Sequence, residues 1–141
     1  MRFVVDASLI VKTFIREPDS DLAELFVGRF WGQLDAPDLL LFELGKTIVR
    51  LTNERLLTTG EASDSLDEID HWREGNGQLH RLTPRLLADA ARLAIKLGHP
   101  VADCVYLALA DQLGCALATS DVKFRDRVGD PARVRLLAEL V

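Results

Sequence analysis

Four acidic residues, spread over most of the chain, are the side chains with the clearest capacity for chemistry. Asp6 follows Phe3-Val4-Val5, an apolar run with two β-branched residues that predicts a short buried strand. Asp121 follows residues 115–119, which predict a second strand of the same kind. Ligands of open parallel α/β sheets sit beyond the carboxyl ends of the strands. We therefore expect the carboxylates of Asp6 and Asp121 to share one edge of a sheet.

The other two acidic residues are expected on helices near that edge. Asp103 falls in the first turn of a strongly apolar helix that is predicted from about Ala102 to Leu113 and leads into the Asp121 strand. Glu43 lies within a helix predicted from Leu39 to about Thr52, off its apolar stripe. Helix and strand ends would thus bring all four carboxylates toward one site.

Each of the four has an ordinary structural explanation when it is taken alone. A strand-end aspartate can cap a helix or a turn, an aspartate in a first helical turn suits the helix dipole, and a helical glutamate can pair with a neighbour. Together, without a histidine or cysteine partner, they suit hard cations such as Mg²⁺ or Mn²⁺. Two such ions can bridge a phosphodiester, deprotonate a water molecule and stabilise the leaving oxygen.

Strands and helices alternate along the chain, which predicts an α/β fold with a central parallel sheet flanked by helices. Asp35–Asp38 reads as a turn and helix cap, and Gly75–Gly77 as a break between elements. The apolar periodicity predicts two buried helix stripes. Their members are Leu22, Leu25 and Phe26 in the second predicted helix, and Leu41, Leu44, Ile48 and Leu51 in the third. Further strands are predicted at residues 79–82 and 134–137, and further helices at 9–15, 60–73, 83–97 and 123–128.

Composition predicts one globular domain over residues 1–141, with 48% hydrophobic and 28% charged residues. No apolar run approaches the length of a membrane span, and no secretion leader is recognised at the start, so we expect no membrane association. The two cysteines read as buried apolar residues of a reducing compartment, which indicates the cytoplasm. A net charge of −5 disfavours a protein that binds nucleic acid through a basic surface, but not an enzyme that meets phosphate through metal ions.

Four motifs carry a resemblance to a known family. They are Phe-Val-Val-Asp-Ala-Ser at residues 3–8, Ala-Pro-Asp-Leu-Leu-Leu-Phe-Glu at 36–43, Ala-Asp-Cys-Val-Tyr-Leu-Ala-Leu-Ala at 102–110, and Ala-Thr-Ser-Asp at 118–121. In the order and spacing of their acidic positions they resemble the PIN-domain family, and within it the VapC-type toxin ribonucleases of toxin–antitoxin pairs. The resemblance covers essentially the whole chain.

The resemblance implies a three-layer fold, usually dimeric, and a Mg²⁺- or Mn²⁺-dependent endoribonuclease whose partners are an RNA substrate and a cognate antitoxin protein. Asp6 and Asp103 would be the principal metal ligands, and Glu43 and Asp121 would complete the acidic set. The hydroxyl groups of Ser8 and Thr119 would orient these ligands. RNA would be cleaved by metal-activated water to leave a 5′-phosphate and a 3′-hydroxyl.

One residue departs from the family pattern. Many members have asparagine three positions after the helical glutamate, where this chain has Lys46. Lys46 can pair with Glu43 or reach the scissile phosphate as a point charge. With Arg50 it belongs to a possible basic rim for RNA phosphates, for which a solvated surface is the equal alternative. The members of that rim are Lys12, Arg16, Lys46, Arg50 and Arg55.

Two other functions remain open from sequence. The first is an α/β phosphoryl-transfer domain with an aspartate nucleophile; its dehalogenase-like form needs a second aspartate where this chain has Ser8. The second is a non-catalytic PIN-like module that binds RNA or protein. We interpret the three histidines and two tryptophans as structural. Apolar side chains in the first helices suit either the core or a partner surface; they are Leu9, Ile10, Phe14, Phe26, Phe30 and Trp31.

Overall fold

A computed structural model describes residues 1–75 and 78–141, with five strands and eight helices in those ranges. The strands form one parallel sheet in the order β3-β2-β1-β4-β5, so the predicted fold class is confirmed. In chain order the elements are β1 (Phe3–Val5), α1 (Ala7–Phe14), α2 (Ser20–Arg29), β2 (Leu34–Pro37), α3 (Leu39–Asn53), α4 (Thr59–Gly75), β3 (Leu79–His80), α5 (Pro84–Leu97), α6 (Val101–Leu113), β4 (Ala116–Thr119), α7 (Val122–Val128), β5 (Val134–Leu136) and α8 (Leu137–Leu140).

Strand β1 lies at the centre of the sheet. Phe3 is in register with Leu34 of β2 on one side, and Val5 is in register with Ala118 of β4 on the other. The chain extends the sheet first toward β3 and then, after α6, toward β5. Such a reversal of strand order is where ligands of parallel α/β sheets bind. The reversal places the ends of β1 and β4 side by side.

Helix α6, which carries Asp103 in its first turn, is deeply buried. Residues 104–110 are all buried, and the helix packs against β1, β2 and β4 while α5 runs along it. An uninterrupted apolar run over two helical turns suits a helix covered on every side. Helices cover both faces of the sheet, which gives the three-layer arrangement expected from sequence.

No single helix in the described ranges is long and apolar enough to cross a membrane. Helices α5 and α6 reach that length and composition only as a pair bent by 118° at their junction.

The interpretation of residues 35–38 as a turn was wrong, because β2 occupies Leu34–Pro37. Asp35 is almost fully buried within it, with its carboxylate bound by the Arg2 guanidinium at 2.9 and 2.6 Å and by the backbone N–H of Gln78 at 2.8 Å. Burial alone would raise the pKa of Asp35, but these hydrogen bonds and the charge of Arg2 together lower it. Long-range partners thus make an aspartate acceptable inside a strand.

Several other boundaries and faces differ from the predictions. Leu25 and Leu41 are exposed, and the buried faces of α2 and α3 include Ala23 and Leu40 instead. Strand β3 has only two residues, and the short helix α8 was not predicted. The predicted break at residues 75–77 includes positions outside the described ranges.

The apolar side chains of the first helices mostly belong to the core. Leu9, Ile10 and Phe26 are fully buried, and Phe14 and Phe30 pack against the core. The rings of Phe3, Phe26 and Phe30 lie 5.0 to 5.4 Å apart in edge-on or tilted contacts. Trp31 is 44% exposed, whereas the side chains of His71 and Trp72 lie outside the part that the structure describes.

Replacing Arg2 with methionine should lower the free energy of unfolding by about 2 kcal/mol, because it leaves the buried carboxylate of Asp35 without its charged partner. The loss stays modest because Arg2 is half exposed and water takes up part of its role. Urea unfolding checks this, with Arg16→Met as the matched control. Arg16 pairs with Asp21 in full exposure, so its loss should change stability little. Equal effects of the two substitutions would contradict the role given to Arg2.

Candidate active site

A cleft of about 330 Å³ lies at the edge of the sheet where β1 and β4 end. All four predicted acidic residues line it. Asp6 follows β1, Asp121 follows β4, Glu43 comes from α3, and Asp103 comes from the first turn of α6. The structure therefore brings the four carboxylates together around one space.

The carboxylate of Asp6 forms the buried floor of this cleft, with the residue only 6% exposed. Its Oδ1 accepts hydrogen bonds from the Ser8 hydroxyl at 2.7 Å and from the backbone N–H of Leu9 at 3.1 Å. Its Oδ2 accepts a short hydrogen bond from the Thr119 hydroxyl. Asp6 thus also caps α1, the structural explanation considered from sequence.

Burial raises the pKa of Asp6 from its ordinary 3.8 to about 6. The hydrogen bonds from Thr119, Ser8 and Leu9 lower the pKa, and the negative charge of Asp103 raises it. The net direction shows that three donors do not fully offset the loss of water. A buried anion of this kind favours any cation that can approach it.

Asp103 contacts a histidine that sequence reasoning had treated as structural. Nε2 of His99 lies 2.6 Å from Oδ2 of Asp103, and the imidazole packs on the ring of Phe124 with 4.7 Å between centroids. The spacing of four residues between His99 and Asp103 permits this contact but does not by itself predict it. The contact fixes one carboxylate oxygen of Asp103 from outside the cleft, since His99 is not part of the cleft lining.

Glu43 forms an ion pair with a lysine on its own helix. Nζ of Lys46 lies 3.5 Å from Oε2 of Glu43, on the same face of α3. Glu43 is 16% exposed and Lys46 is 66% exposed, and Lys46 does not line the cleft. In this structure Lys46 therefore acts as the partner of Glu43, one of the two roles that the sequence left open.

Asp121 links the end of β4 to the helix that follows. Its Oδ1 accepts from the backbone N–H of Phe124 at 3.0 Å, which caps α7. Its own N–H donates to Oγ1 of Thr119 at 3.0 Å, and the hydroxyl of Ser120 donates to that of Ser8 at 3.2 Å. A chain of hydroxyl groups thus joins the two strand ends beneath the carboxylates.

Two cations line the cleft, each already paired with a glutamate. Lys12 lies 2.9 Å from Glu17, which also lines the cleft, and Arg50 lies 3.3 Å from Glu54. Of the predicted basic rim, Lys12 and Arg50 therefore face this space; the other three members are not part of its lining.

Tyr106 of α6 is a further lining residue that was not singled out from sequence. The residue is 1% exposed, and its hydroxyl has no hydrogen-bond partner within the described ranges. Burial raises its pKa, and the negative charges of Asp6, Glu43 and Asp103 raise it further. The hydroxyl is thus a neutral donor that faces carboxylates without reaching one.

The donor set fits a hard divalent cation in its chemistry. Four carboxylates converge with no thiolate among them, as Mg²⁺ and Mn²⁺ sites require, and a buried hydroxyl stands unpaired beside them. As the side chains stand, no three carboxylate, imidazole or thiolate groups in residues 1–75 and 78–141 are close enough to hold an ion. Binding would therefore require carboxylates of the cleft to move closer together than they stand here.

The sequence is similar to known proteins over most of its length. The family model for the PIN domain matches residues 3–129. The chain is 32% identical to Ribonuclease VapC3 of Pyrobaculum aerophilum over 127 residues, which cover 90% of this chain and 95% of that protein.

Two solved structures share the fold. The crystal structure of PAE2754 from Pyrobaculum aerophilum has a TM-score of 0.71 at 17% identity and covers 98% of this chain and 85% of its own. A toxin–antitoxin complex from Klebsiella pneumoniae has a TM-score of 0.61 at 14% identity and covers 94% of both chains.

The raised pKa of Asp6 makes a prediction about stability in the absence of metal. Between about pH 4 and pH 6 the folded state binds more protons at Asp6 than the unfolded chain does, so stability falls as pH rises through that window. Relative to Asp6→Asn, the wild type should lose about 2 to 3 kcal/mol of unfolding free energy between about pH 4 and pH 6. Above pH 7 the difference in unfolding free energy between the two proteins should stay constant.

Urea unfolding in EDTA at a series of pH values measures this difference. Asp89→Asn is the matched control, because Asp89 lies on α5 away from the cleft and should retain the wild-type profile. Parallel profiles for wild type and Asp6→Asn would show that the charge of Asp6 is not the destabilising group.

Proposed function

The chain belongs to the PIN-domain family, and from that premise we propose that it is a divalent-metal-dependent endoribonuclease, the toxin of a toxin–antitoxin pair. The observation that carries the proposal is the convergence of Asp6, Glu43, Asp103 and Asp121 on one cleft. The name of the relative Ribonuclease VapC3, at 32% identity, supports the nuclease activity. The likeness to a chain of a toxin–antitoxin complex supports the partner.

In this proposal Asp6 and Asp103 hold the cation, which is Mg²⁺ or Mn²⁺, and Glu43 and Asp121 complete the set directly or through water. The cation supplies positive charge that activates water for attack on a phosphodiester and stabilises the leaving oxygen. The hydroxyl groups of Ser8 and Thr119 keep Asp6 in one orientation. His99 holds Asp103 from the opposite side.

Contact with the RNA backbone is assigned to the two cations of the cleft. Arg50 and Lys12 are placed to meet phosphate oxygens, and Glu54 and Glu17 keep them in position until a phosphate competes for them. Lys46 lies at the margin, where it balances the charge of Glu43. Both cations of the cleft are paired with glutamates and the chain has a net charge of −5, which suits binding that depends on the metal rather than on a basic surface.

A protein partner is supported by the outer face of α3. Phe42 is 69% exposed and Val49, two turns later, is 57% exposed on the same side of the helix. Such an apolar face suits an antitoxin segment. We further propose one domain over residues 1–141, a homodimer, and action in the cytoplasm.

An aspartate nucleophile for phosphoryl transfer receives no support. The position two residues after Asp6 is Ser8, whose hydroxyl donates to Asp6. Both oxygens of Asp6 are occupied as acceptors, which suits a fixed ligand better than an attacking group.

Asp103→Asn tests the proposed activity, because it removes one negative charge from the site while it keeps the shape of the side chain. Cleavage of a structured RNA mixture by purified protein with Mn²⁺ should fall at least about 100-fold in this variant. EDTA should abolish cleavage by the wild type. Asp89→Asn, outside the cleft, should cleave as the wild type does.

Equal cleavage by wild type and Asp103→Asn would contradict the assignment of the cleft. RNA binding without cleavage by the wild type, across a transcriptome-derived RNA pool, would instead favour the non-catalytic module. Two observations keep this second candidate: residues 1–75 and 78–141 contain no close ligand triad, and Glu43 is paired with Lys46.

A further inference from the structure

Tyr106 stands on the side of α6 that faces the acidic cleft, one turn after Asp103. Only 1% of the residue is exposed, yet its hydroxyl has no hydrogen-bond partner in the described part of the chain. Buried hydroxyl groups without a partner are uncommon in folded proteins because each one loses its hydrogen bonds to water. An unpaired donor in the wall of a cleft suggests that its acceptor arrives with a ligand.

The surroundings decide which ligand this is. The negative charges of Asp6, Glu43 and Asp103 all act on the Tyr106 hydroxyl, so an incoming anion would be repelled unless a cation came first. A cation alone cannot accept a hydrogen bond. A hydrated divalent cation satisfies both conditions, because its charge suits the carboxylates and water molecules of its outer hydration shell can accept from a neutral phenol.

We propose that the Tyr106 hydroxyl is a positioning group that donates a hydrogen bond to the hydration shell of a divalent cation held by Asp6 and Asp103. This inference rests on the proposed metal-dependent function. It assigns to α6 two contributions one turn apart, a carboxylate from Asp103 and a donor from Tyr106. The burial of Tyr106 restricts the direction of the donor before the cation arrives.

Tyr106→Phe tests the inference with metal alone, so no RNA is required. In EDTA the variant should melt at or above the wild-type temperature, because the lost hydroxyl had no partner to lose. Its affinity for Mn²⁺, measured by isothermal titration calorimetry, should fall about fivefold to tenfold. A purely structural hydroxyl would give the opposite pair of results, a lower melting temperature and an unchanged affinity.

Thr52→Val is the matched control, because it also deletes one hydroxyl group. The Thr52 hydroxyl donates to the carbonyl oxygen of Ile48 at 2.7 Å, and Thr52 does not line the cleft. This control should leave the Mn²⁺ affinity unchanged, whatever it does to stability in EDTA.

The outcomes separate this inference from the proposed function. If the wild type binds Mn²⁺ and Tyr106→Phe binds it equally well, the role of Tyr106 is overturned while the metal site stands. If the wild type and Asp103→Asn both fail to bind Mn²⁺, the proposed metal site and the role of Tyr106 are overturned together. A selective loss of affinity in Tyr106→Phe, with an undiminished melting temperature in EDTA, supports the inference.

Discussion

The carboxylate of Asp6 is buried at the end of the central strand, where desolvation and the charge of Asp103 both oppose its ionised form. The fold holds it there with three donors. Two of them, Ser8 and the N–H of Leu9, come from the start of α1, and the third, Thr119, comes from the end of β4. Only a sheet that places β1 beside β4 in parallel register can supply donors from both strand ends.

The same edge collects three further carboxylates, and each is held by a group outside the shared space. His99 contacts Asp103, Lys46 contacts Glu43, and the N–H of Phe124 binds Asp121. These contacts orient the three carboxylates and reduce the repulsion between their like charges. A divalent cation would replace that arrangement with direct neutralisation, so its binding would stabilise the folded chain by mass action.

Much of this architecture follows from local sequence. The apolar run before Asp6 predicted β1, and the apolar residues of α6 predicted a buried helix that carries Asp103. Thr83 and Pro84 predicted the start of α5, where the Thr83 side chain accepts from the N–H of Leu86. These features need only neighbouring residues to be recognised.

The failures came where distant residues decide the outcome. Strand β2 contains Asp35, which is tolerated because Arg2, 33 residues earlier, neutralises it. Leu40 and Leu41 both fit the helical period of α3, so periodicity could not tell which one faces the core.

The roles of His99 and Tyr106 were also invisible to local patterns. The role of His99 depends on how the junction of α5 and α6 packs on Phe124. The role of Tyr106 depends on which face of a uniformly apolar helix meets the cleft. Both are products of tertiary packing rather than of spacing along the chain.

Anomalous diffraction from crystals soaked in Mn²⁺ tests the central claim most directly, because it locates the cation without reference to RNA. The account predicts a manganese peak in the cleft, within bonding distance of the carboxylates of Asp6 and Asp103, at a pH above 7. It also predicts no such peak in Asp103→Asn crystals. A wild-type peak elsewhere, or an empty cleft in crystals that hold manganese at other carboxylates, would contradict it.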